Sequence, residues 1–95
     1  MDKLRNKAVL NTTVDNAIEE LKSSFFGEVN LKSLSFRVIE SIKDVSKYSL
    51  EELVEKIISM YFYSCVYSDE MFEDFYLENM EDVKGWIKSE YINKL

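Results

Sequence analysis

Residues 49–66 read SLEELVEKIISMYFYSCV, and the pattern in this stretch decides the fold. Ser49 followed by Glu52 is a capping box. The serine hydroxyl can accept from the backbone of residue 52 while the glutamate reaches back to the serine N–H. Tyr48 and Leu53 stand where a hydrophobic staple would put them. The apolar stripe continues through Leu50, Leu53, Val54, Ile57, Ile58, Tyr61, Phe62, Cys65 and Val66. That is helical spacing, and it covers more than one narrow face, so this helix is expected to be the most buried.

Upstream, Leu31, Leu34, Val38, Ile42 and Val45 trace a second helical stripe, widened by Phe36 and Ile39 and opened by Asn30 as N-cap. Leu34, Phe36 and Val38 also alternate as a short strand would. The longer helical match favours the helix. Earlier still, Val14, Ala17, Ile18, Leu21 and Phe25 predict a helix capped by Thr12 or Thr13 and stopped at Gly27. Residues 1–11 read as a frayed terminus or a short first turn. Downstream, Ser68 can cap a fourth helix, with Asp69 and Glu70 in its first turn. Phe72, Phe75, Tyr76, Met80, Val83, Trp86 and Ile87 keep its phase. A break at Asn79 or Gly85 would create a short fifth helix running to about Ile92.

The chain of 95 residues has no proline and two glycines, which favours helices over many short strands. The expected fold is a single all-α domain, residues 1–95, forming a small bundle of four to five helices. The net charge of −6 is unevenly placed. The first fifty residues carry eight basic and seven acidic side chains, and the rest carry four basic and eleven acidic. Direct binding to nucleic acid or to an anionic membrane is therefore not expected, since both need clustered Lys and Arg. The most apolar window, Ile57–Tyr67, is interrupted by Ser59 and Ser64 and is too short to span a bilayer. No targeting segment is apparent. One cysteine, Cys65, cannot pair within the chain, which suits a reducing, cytoplasmic setting. It reads as a buried, inert thiol.

The chain has no histidine, so the commonest general base and metal ligand is missing. No glycine-rich phosphate loop or EF-hand spacing occurs. The expectation is a protein that is not an enzyme and carries no cofactor or metal.

Between Lys56 and Lys84 there is no positive charge. Asp69, Glu70, Glu73, Asp74, Glu78, Glu81 and Asp82 fall in that interval, with seven of the thirteen aromatics just before or among them. On a continuous helix Glu70, Asp74, Glu78 and Glu81 form one ridge on the order of 20 Å long. Like charges four apart oppose the helix by roughly 0.2–0.5 kcal/mol per pair. Tyr63 and Tyr67 lie off the apolar stripe and read as exposed interface anchors, whereas Phe62, Phe72, Phe75 and Trp86 read as core. The expected contact residues are Tyr63, Tyr67, Asp69, Glu70, Glu73, Asp74, Glu78 and Glu81. Lys3, Arg5 and Lys7 are too few for a nucleic-acid arm and suit the acidic half or a second copy.

In size, charge and aromatic placement the chain resembles bacteriocin immunity proteins and phage-encoded anti-CRISPR inhibitors, without matching a motif of either. The resemblance implies inhibition of a basic nucleic-acid-handling protein such as a nuclease, in a bacterial or phage setting. The alternative expectation is a homodimeric structural or adaptor protein that self-associates through its aromatic face.

Overall fold

The computed structural model describes residues 2–24, 29–66 and 68–95. It is an all-α bundle: α1 Asp2–Lys22, α2 Leu31–Ser41, α3 Leu50–Cys65 and α4 Phe72–Lys94, with one turn of 3-10 helix at Val45–Lys47. Residues 34–38 are helical, and the described residues contain no strand.

The caps of α2 and α3 follow from the sequence. Asn30 Oδ1 accepts from Ser33 N at 2.8 Å. Ser49 Oγ accepts from Glu52 N at 3.1 Å, and Glu52 Oε1 accepts from Ser49 N at 3.3 Å, closing the capping box. Helix α1 differs from expectation at its start. It begins at Asp2, and the segment 1–11 is helical over its described part. Its stripe extends back to Leu10, which is buried with Val14, Ala17 and Ile18. Thr12 and Thr13 are helix-interior residues whose hydroxyls donate to the carbonyls of Ala8 and Val9. The regular helix ends at Lys22, where Ser23 and Ser24 make the closing bonds to Glu19 and Leu21. Phe25 and Gly27, expected in its stripe and at its stop, lie outside the described residues.

One apolar cluster takes residues from all four helices and from the Val45–Tyr48 turn. Helices α1 and α4 each pack on α2 and α3 and scarcely meet each other. Helix α2 buries five residues and the longer α3 four, so α2 rather than α3 is the more deeply enclosed. The last turns of α3 run past this core toward the α3–α4 turn, where its side chains are half-buried or, at Tyr63, exposed. Helix α4 is continuous. Asn79, instead of breaking it, donates from Nδ2 to Phe75 O at 2.8 Å, and Gly85 lies exposed in its interior.

Polar ties reach across the bundle. Tyr48 donates to Asn6 O at 3.0 Å, and Tyr91 donates to Tyr48 O at 2.7 Å. Lys94 Nζ donates to Ile39 O, Glu40 O and Ile42 O at 2.7, 3.0 and 2.9 Å. An ammonium with three donors thus satisfies three carbonyls at the C-terminal end of α2, where the helix dipole is negative. Ser46 donates both its N–H and its hydroxyl to Asp44 Oδ1, and these bonds hold the Asp44 carboxyl below its ordinary range.

Candidate functional site

Helix α4 begins at Phe72 with Met71 as N-cap and no side-chain cap. Asp69 and Glu70 therefore precede the helix instead of forming its first turn. Ser68 Oγ accepts from Glu70 N at 3.4 Å within that connection. Glu73 and Asp74 occupy the first turn, where the positive end of the helix dipole favours them. That local benefit stops there, since Glu78, Glu81 and Asp82 lie farther along the helix.

The ridge nevertheless forms in space. Val83 and Ile87 point into the core, and the opposite side of α4 presents Asp74, Glu78 and Glu81, all exposed. Glu70 folds back onto this row. A hydrogen bond with the Glu78 carboxyl is the main cause that raises the Glu70 pKa above its ordinary 4.5, followed by desolvation and the charges of Glu78 and Asp74. Two carboxyls can share such a bond only if one holds a proton, and two ionised carboxylates at that spacing repel. Among the described residues the ion pairs are Arg37–Glu20 at 3.6 Å and Lys84–Glu51 at 3.9 Å, and neither reaches the ridge.

Beside the carboxylates lies a connected set of rings where α3 meets α4. Phe62 packs on Phe72 and Phe75 at centroid distances of 5.5 and 5.2 Å. Tyr61 stacks on Phe75 and Phe72 contacts Tyr76. These rings are half-buried: Phe62, Phe72 and Phe75, expected in the core, lie instead in the α3–α4 contact, where Phe72 and Phe75 pack against the edge of the core. Tyr76 is also half-buried. Burial first, then the charges of Glu55 and Glu51, pushes its phenol pKa up. Tyr63 differs: it is 73% exposed and stacked on Phe72 at 5.6 Å, with ring planes 20° apart. One face of that ring is held by the protein and the other is open. Met71 and Leu77 add exposed apolar surface between the acids. Tyr67 lies outside the described residues.

The structure thus gathers Tyr63, Glu70, Asp74 and Glu78 around the α4 N-terminal half, extends the row to Glu81, and leaves Asp69 and Glu73 exposed at its edge. Sequence reasoning missed Met71 and Leu77. Leu77 sits three residues from Asp74 and one from Glu78, and that spacing was a usable signal. Cys65 is half-buried rather than buried, and desolvation raises its thiol pKa, which disfavours the thiolate. Among the described residues no three His, Cys, Asp or Glu side chains converge as metal ligands, and no helix is long and apolar enough to cross a membrane. No family model matches the chain, and no curated protein or solved structure shows significant similarity to it.

Proposed function

We propose that this is a non-catalytic binding protein whose α4 ridge and adjoining Tyr63 dock a basic protein, a nuclease or another nucleic-acid-handling enzyme, and block its charged groove. One observation carries the reading. Among the described residues, a row of exposed carboxylates without ion pairs borders an exposed tyrosine already fixed by stacking. Charge of one sign in a row speeds encounter with a basic groove. A tyrosine held in place loses little entropy on binding and can supply the slowly dissociating contact. The immunity-protein and anti-CRISPR type of inhibitor works within this class of chemistry, in the cytoplasm of a bacterial cell.

The test is affinity capture at low and high salt with wild type and a folded Glu70→Gln/Asp74→Asn/Glu78→Gln variant. The nucleic-acid cleavage by whatever is captured is then assayed with each protein added back. A basic enzyme held only by wild type, released by salt and inhibited by wild type alone is the expected result. Equal capture by the variant would reduce the ridge to a solubilising face. The aromatic self-association reading would instead give a dimer insensitive to salt and dispersed by Tyr63→Ala.

A further inference from the structure

A second charged surface stands away from the ridge. The first turns of α1, the 3-10 turn and the start of α3 enclose a groove of about 480 Å³. Lys3, Lys7, Lys47 and Lys56 line it, against Glu52 and Glu55. None of the four lysines is ion-paired among the described residues. Cations in the first turns of α1 also oppose the positive end of that helix dipole, so local stability does not explain them. Leu10 is buried at the groove, and Leu4, on its rim, is 77% exposed.

The ridge is the mirror of this surface. It sets carboxylates around exposed Leu77, as the groove sets ammonium groups around exposed Leu4. Groove and ridge share no residue, and the α1 side of the groove scarcely meets α4, so the ridge of the same chain does not fill it. We propose that the lysine-lined groove accepts the α4 ridge of a second copy of this chain, giving a reversible head-to-tail association. This rests on the ridge being a docking surface and adds its regulation: at high concentration copies cover one another's ridges, and a basic partner competes for them. A head-to-tail contact does not close on itself in a pair, since each added copy brings a fresh groove and a fresh ridge. It is also electrostatic, so salt weakens it.

The experiment is sedimentation equilibrium at low and high salt with three folded proteins. They are wild type, a groove variant Lys3→Gln/Lys7→Gln/Lys56→Gln, and a ridge variant Asp74→Asn/Glu78→Gln/Glu81→Gln. At low salt wild type should rise above the monomer mass of 11.2 kDa with concentration, and high salt should return it there. Each variant alone should stay monomeric. Their equimolar mixture should stop at twice the 11.2 kDa mass, because one supplies the ridge and the other the groove. A monomeric wild type, an association that survives high salt, or a mixture that fails to pair would overturn the proposal. Binding of a lysine-rich peptide to wild type and ridge variant, measured in parallel, reports on the docking reading itself. If the peptide needs the ridge and copies do not associate, only the head-to-tail contact fails.

Discussion

Replacing Glu78 by lysine should make this protein more stable. Glu78 lies four residues from Asp74, three from Glu81 and four from Asp82 on one continuous helix. Each like-charge pair costs roughly 0.2–0.5 kcal/mol, and an opposite-charge pair gains about as much. Glu78→Lys converts three unfavourable pairs to favourable ones. Screening and incomplete additivity leave a net gain on the order of 1–2 kcal/mol. Glutamate and lysine have similar helix propensity, so the backbone contributes little to the difference. Asp74 N-terminal to the new lysine is the better orientation, and the lysine–Asp82 pair is the weaker one. For a chain of this size the gain corresponds to a rise in Tm of about 4–15 °C. Thermal and urea unfolding followed by far-UV circular dichroism reads it. Glu78→Gln should give about half the gain, and high salt should shrink both. Unchanged or reduced stability for Glu78→Lys at low salt would refute the reasoning, because the ridge would then carry no electrostatic cost that function must offset.

Three further outcomes follow from the same geometry. Lys94→Met keeps the aliphatic stem but leaves the carbonyls of Ile39, Glu40 and Ile42 without their shared donor, and should cost about 1–2 kcal/mol in urea unfolding; Lys94→Arg should restore only part, since a planar fork cannot converge on three oxygens as an ammonium does. Ser49→Ala opens the capping box of α3 and should cost about 1 kcal/mol by the same assay. Glu70 binds its proton more tightly folded than unfolded, so its contribution to stability is present below the ordinary value of 4.5 and is lost as pH rises through the raised folded value. Wild type should therefore gain stability relative to Glu70→Gln as pH falls from neutrality toward that range, and parallel pH profiles for the two would contradict the shared carboxyl bond.

What the sequence revealed and what it hid divide along the range of the interactions. The caps at Asn30 and Ser49 are local, made by side chains to backbone three residues away, and both stand as read. The helical period settled residues 34–38 because α2 buries Leu31, Leu34, Val38 and Ile39 on one side. The start of α1 was hidden because residues 2–9 leave exposed or partly exposed every side chain that is described, so no stripe marks them. Thr12 and Thr13 then mimicked caps, although a threonine hydroxyl can equally bond the carbonyl one turn back. Ser68 misled for a related reason, since its hydroxyl holds a turn ahead of α4 instead of capping the helix. The Lys94 clamp spans more than fifty residues and had no local signal. The acidic row was legible from spacing. That Glu70 joins it from outside the helix was not, and neither was the stacking of Tyr63 on Phe72, which depends on how α3 meets α4.

The central claim is that the ridge steers and holds a basic partner. Its most direct test is stopped-flow association with the captured enzyme across a salt series, using wild type and the Glu70→Gln/Asp74→Asn/Glu78→Gln variant. The account predicts an association rate for wild type that falls steeply with salt. For the variant it predicts a rate on the order of tenfold slower at low salt and nearly flat across the series. Equal rates with equal salt dependence would contradict it and leave the carboxylates of α4 as a solvated face.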